Sequence, residues 1–132
     1  MQDLIFNFQS DDDSVKGSAL EIWTEGLKEA FGSKGIDLTS VSKYRSYLES
    51  AGFEKIKQEE FRWPVGTWSD SHDPKKLGSH CQTNILDMRH AISIIPLTTC
   101  QTQSMPLEAV ELLLEEVKKA LLDPNIHAYL QM

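Results

Sequence analysis

The stretch LESAGFEKIKQEEFRWPVGTW, residues 48–68, decides the fold. An apolar helical pattern ends at Ala51-Gly52-Phe53, where glycine supplies the left-handed backbone of a helix stop. A polar extended run follows from Lys55 to Trp63. Its alternation is imperfect, because Phe61 and Trp63 share a face with Lys57 and Glu59. Such a strand suits the edge of a sheet better than its centre. Pro64 ends it. The Pro64-x-Gly66-x-Trp68 corner then opens a predicted loop, Val65 to Pro74, rich in Gly, Ser, Asp and Pro.

Upstream, Asp3 to Gln9 reads as a short strand in which Leu4, Phe6 and Phe8 alternate with Ile5 and Asn7. Ile5 makes the second face apolar too, so cover on both sides is expected. The acidic run Asp11-Asp12-Asp13 stops it, and Asp13 or Ser14 is a candidate cap for the next helix. Leu20, Trp23, Leu27, Ala30 and Phe31 recur at spacings of three and four, which predicts an amphipathic helix from Ser18 to Phe31. Gly32 and Gly35 are its stop signals. A second helix is predicted from Thr39 or Ser40 to Ala51, with Val41, Tyr44, Tyr47, Leu48 and Ala51 as its apolar stripe.

Downstream, Leu77, Cys81, Ile85, Met88, Ile92 and Ile95 lie on one face of a predicted helix from Lys75 to Ile95. Gly78 weakens its first turn by ~1 kcal/mol relative to Ala, and Pro96 is expected to break it. The strongest helical pattern is Pro106 to Leu122. Pro106 suits a first turn, Ser104 is a candidate cap, and Glu108, Glu111 and Lys118-Lys119 complement the helix dipole. Asp123-Pro124-Asn125 is a turn, and Ile126 to Leu130 begins a last strand. The predicted fold class is α+β, mostly helical, as a single domain over residues 1–132.

Composition narrows the function. The chain has 132 residues, 40% of them hydrophobic, and a net charge of -7 from 20 acidic and 13 basic side chains. That is globular, and it lacks the basic face that a nucleic-acid binder needs. Cys81 and Cys100 are too few for a disulfide framework, so reduced thiols are expected. MQDLIFNFQSDDD has no basic n-region of a signal peptide. No apolar run approaches the ~20 residues of a membrane span. The expectation is a cytoplasmic protein that binds neither nucleic acid nor membrane.

Three motifs taken jointly carry a resemblance: A-G-F at 51–53, P-V-G-T-W at 64–68 and D-P-N-I-H-A-Y at 123–129. In this order they resemble the C-terminal half of class I S-adenosylmethionine-dependent methyltransferases, in particular a fungal group of small-molecule and regulatory enzymes of secondary metabolism. The resemblance covers nearly the whole chain. It implies that Leu4–Phe8 is similar to the fifth strand of a seven-stranded sheet and Ile56–Trp63 to the sixth, with the tail as a reduced seventh. It also implies that the P-x-G-x-W loop and its helices cover a substrate pocket. The cofactor half of that family, a glycine-rich turn after the first strand and an acidic residue ending the second, has no counterpart here. Gly32 and Gly35 sit between helices. The resemblance therefore implies a truncated domain without cofactor and without methyl transfer. Its sheet would be completed by oligomerisation, as a homodimer, or by another chain.

On this basis the expected activity is a cofactor-free cyclisation or isomerisation of a hydrophobic biosynthetic intermediate. His80, Asn84 and Lys76, on the helix after the loop, are the candidate catalytic residues. Trp68, Trp63, Trp23 and Phe31 are the candidate walls of a substrate pocket. The opposing reading makes His80 and Asn84 a solvated helix face and the aromatics core. The alternative function is a non-catalytic partner subunit, or a methyltransferase fragment, that pairs with another chain. His127 and Tyr129 are expected to anchor the C-terminal turn, and the triple Asp run to be a solvated loop. A metal site is not expected, since the four histidines are scattered. Adjacent His80 and Cys81 point apart on a helix and make no nucleophile pair.

Overall fold

The structure, a computed structural model, describes residues 2–132. Strand β1 spans Ile5–Gln9, helix α1 Ala19–Gly32, a 3-10 turn Ser40–Lys43, helix α2 Tyr44–Ser50, strand β2 Arg62–Pro64, helix α3 His72–Thr98, helix α4 Leu107–Leu122 and strand β3 Tyr129–Gln131. The fold is α+β and mostly helical, as the sequence predicts, and its three strands form an antiparallel sheet.

β3, last in sequence, is central. The order is β1-β3-β2, and β3 runs antiparallel to both neighbours. β1 and β2 therefore point the same way on either side of it. Trp63 lies opposite Leu130 and Pro64 opposite Tyr129. The ladder reaches one step further through the two hydrogen bonds between Phe61 and Met132, at 2.8 and 2.9 Å. β2 is much shorter than the predicted Lys55–Trp63, because only the residues from Phe61 to Pro64 lie beside β3 and those from Ile56 to Glu60 have no ladder partner among the described residues. Its edge position is as expected.

α1, α3 and α4 pack together on one face of the sheet. Leu20, Trp23, Leu27, Leu97, Val110, Leu114, Val117 and Leu130 are fully or almost fully buried between them. Trp23 joins the layers: its ring meets Phe6 edge-on at 5.4 Å and stacks on Phe8 at 6.0 Å. Its indole N–H donates to Ser93 Oγ at 2.8 Å, so neither buried polar group is left unsatisfied. Alternation sends Ile5 to the other face, where it lines a cleft beneath the 3-10 turn and α2.

Several boundaries differ from expectation for local reasons. The predicted second helix is split, because Asp37 accepts the Thr39 N–H and hydroxyl and pairs with Lys43, tightening that segment into a 3-10 turn. α3 begins at His72, since Pro74 falls in the first turn, where a missing N–H costs nothing. It also continues through Pro96. The proline is near the helix end, and the Thr98 and Thr99 hydroxyls bond the Ile94 and Ile95 carbonyls of the final turn. Ser18 stands at the N-terminus of α1 and Pro106 at that of α4, in place of Asp13, Ser14 and Ser104.

Gly78 is needed for another reason than helix propensity. A Cβ there would meet the Gly66 carbonyl oxygen at 2.0 Å, while the Gly66 N–H donates to the Gly78 carbonyl at 3.0 Å. Gly66 itself has φ 96°. The loop after β2 and the first turns of α3 therefore interlock backbone to backbone, which only two glycines allow.

Candidate functional site

Two of the three sequence motifs, with the acidic run, meet at the end of the sheet where β1 and β2 finish and β3 begins. The Ala128 carbonyl accepts the Val65 N–H at 2.8 Å and the Trp68 indole N–H at 3.0 Å. P-V-G-T-W is thereby fastened to I-H-A-Y. The Trp68 ring lies against His127, 5.4 Å between centroids.

The acidic run closes the cluster. His127 Nδ1 lies 2.6 Å from Asp12 Oδ2, and the His127 N–H donates to Ser14 Oγ at 2.9 Å. The Tyr129 hydroxyl donates to Asp11 at 3.2 Å, and Arg62 pairs with the same carboxylate at 2.8 Å. The Arg62 guanidinium also lies over the Tyr129 ring at 4.6 Å, a cation–π contact. The Ser14 hydroxyl and N–H, with a smaller contribution from His127, hold the Asp12 carboxyl down to about 2. Asp12 is therefore ionised and orients the His127 ring, leaving Nε2 free of that bond. An Asp–His pair of this kind presents one imidazole nitrogen to a proton on another molecule.

The seven residues singled out from sequence are not brought together. His80, Asn84 and Lys76 are exposed on α3. Trp23 is fully buried in the core, and Phe31 packs against that core from the end of α1. Trp63 and Trp68 are half-buried. Trp68 alone belongs to the cluster. Sequence reading missed the pairing of Asp12 with His127 and of Asp11 with Arg62. The signal was present in the acidic run and in H-A-Y, which were read separately.

One cleft lies against the sheet and another at the end of α1, and none of the seven residues lines either. The better enclosed, about 410 Å³, lies between α2 and the second sheet face. The other is bordered by Gly32, Gly35 and Ile36. The residues present do not fit an S-adenosylmethionine cradle. Gly32 and Gly35 join helices, and at Gly66, the glycine between β2 and α3, an added Cβ would meet the Gln82 side chain at 3.2 Å. Cys81 and Cys100 are buried and unpaired. Among the described residues no three His, Cys, Asp or Glu side chains gather to hold a metal, and no helix is long and apolar enough to cross a membrane.

No family model matches the chain, and no solved structure matches it significantly. Curated proteins do. A protein-methionine methyltransferase, laeA, of Emericella nidulans is 26% identical over 125 residues, covering 94% of this chain and 33% of that protein. A probable methyltransferase, tdiE, of the same fungus is 25% identical over 130 residues, covering 98% and 40%. A secondary metabolism regulator, laeA, of Monascus pilosus is 25% identical, covering 94% and 34%. The chain thus spans between a third and two-fifths of the curated relatives it matches. Over nearly all of its length it is methyltransferase-like, similar to fungal methyltransferases and regulators of secondary metabolism.

Proposed function

We propose that this domain is a non-catalytic pairing module of a methyltransferase-like assembly. β1 is its interface, to be joined by a strand from the part of such a protein that this unit does not contain, on the same or a second polypeptide. One observation carries the reading. β1 is an outer strand, yet its sequence IFNFQ carries no charge and no proline, with Phe6 and Phe8 on one face and Ile5 beside the uncharged Asn7 and Gln9 on the other. That is the composition of an interior strand, and an unguarded edge of this kind pairs with whatever strand is offered.

Without its partner the domain should pair with itself through the same edge. Sedimentation and amide exchange test this. Wild-type protein is expected to self-associate with slowed exchange of the β1 amides. Ile5→Lys, which puts a charge on the edge strand, is expected to stay monomeric and folded. A wild-type chain that is monomeric at every accessible concentration, or an Ile5→Lys protein that associates as well as wild type, would overturn the reading.

A second reading is favoured by the Asp12–His127 pair beside Trp68. Here a hydrophobic biosynthetic intermediate would stack on Trp68 while His127 removes a proton at one atom and returns it at another, a cofactor-free isomerisation or cyclisation. Turnover of such a substrate should fall at least tenfold in His127→Gln and Asp12→Asn. Turnover unchanged in both would remove it.

A further inference from the structure

The cleft between α2 and the sheet is a site that the pairing edge and the Asp12–His127 cluster leave unused. It opens at the other end of the sheet, where β1 begins and β3 finishes, and Asp3, Ile5, Gln131 and Met132 line it. Its volume of about 410 Å³ is within the range of small-molecule sites.

The cleft exists because α2 does not pack down. Val41, Tyr44 and Leu48 recur at spacings of three and four and line it, yet no residue of α2 is buried. A helix covering a sheet normally buries that stripe. With Ile5, Ile56 and Phe61 from the opposite side, the interior is apolar.

The rim is acidic and incompletely paired. Lys57 is held by Glu59, and Arg45 by Glu49 and the Ile56 carbonyl. Asp3 and Glu60 also line the cleft, and among the described residues neither has a cation within ion-pair distance. Asp3 accepts the Tyr44 hydroxyl at 2.8 Å, and Glu60 accepts only neutral amides, from Gln58 and Gln131. The Tyr44 hydroxyl and the Leu4 N–H hold the Asp3 carboxyl below the usual carboxylate range, so it is charged at neutral pH.

We infer that this cleft binds a small amphipathic amine, its apolar body against Leu48, Ile5 and Phe61 and its ammonium between Asp3 and Glu60. The probe pair is naphthylethylamine and its neutral counterpart naphthylethanol, titrated into the intact chain with naphthyl fluorescence as the readout. The amine should bind roughly tenfold tighter than the alcohol. Asp3→Asn and Glu60→Gln should each weaken the amine about fivefold and leave the alcohol unchanged. Leu48→Arg, which fills the cleft and supplies a cation, should abolish binding of both while the melting curve shows a folded protein. Equal affinities for amine and alcohol, insensitivity to both carboxylate substitutions, or binding retained in a folded Leu48→Arg protein would each overturn the inference.

Discussion

β2 and β1 flank the same central strand, and their compositions are opposite. β2 has three residues, of which Arg62 is charged and Pro64 cannot donate to a ladder. Lys57, Glu59 and Glu60 precede it, and the Arg62 side chain is drawn onto Tyr129 and Asp11. These are the devices by which sheets end. β1 has five residues without charge or proline, and the one interruption along it is a shift of register with β3 between Ile5 and Gln9. The difference teaches that edge position alone does not define an edge. One side of this sheet is finished by its own side chains, and the other has the chemistry of a strand that expects a neighbour.

The comparison breaks most severely on the β2 side. Gly78→Ala should cost at least about 3 kcal/mol in urea unfolding, because the new Cβ meets backbone oxygen that cannot move aside. The β1 side should respond less sharply. Ser93→Ala strands the Trp23 N–H in the layer beneath Phe6 and Phe8, and should cost about 1–3 kcal/mol by the same measurement.

Arg62→Val sharpens the contrast from the other direction. It strips β2 of its charge, and should increase self-association in sedimentation with a small change in stability.

Acid probes the junction between the two strands. The folded Asp12 carboxyl sits near 2, against 3.8 for the free side chain. Its stabilisation is therefore complete above the unfolded value and is lost as pH falls from about 4 towards about 2. Urea midpoints over that window should fall more steeply for wild type than for Asp12→Asn. The smallest effects belong to Lys76→Ala, His80→Ala and Asn84→Ala. Their side chains are exposed, and each should change stability by no more than about 0.5 kcal/mol.

The sequence made some of this legible and concealed the rest, for definable reasons. α1 and α4 follow from apolar spacing, because each buries one continuous stripe. β1 follows from the recurrence of Leu4, Phe6 and Phe8 at every second position, and the edge position of β2 from its charges. The ends of α3 did not follow, since Pro74 is harmless where helical N–H groups are already free and Pro96 forfeits one backbone bond, to Ile92, in the last turns of a long helix. Gly78 read as a weak helix residue, because its cost is set by Gly66, which meets it only in space. The Asp12–His127 contact joins positions 115 apart, beyond the reach of any local pattern. Trp23 and Trp68 look alike in sequence, but one seals the core and the other anchors the loop after β2.

The central place of β3 has a consequence for how the molecule comes into being. Synthesis is vectorial, and the strand that both neighbours require is the last element of this unit to appear. Asp11 and Tyr129, bonded in the finished fold, are 118 positions apart. Neither outer strand has a ladder until then, so the helical layer must assemble first and hold β1 and β2 in waiting. Such long-range closure slows folding. During that interval β1 is exposed along both edges, and this is when a nascent chain is most open to capture by a foreign strand, whether a proper partner or an aggregate.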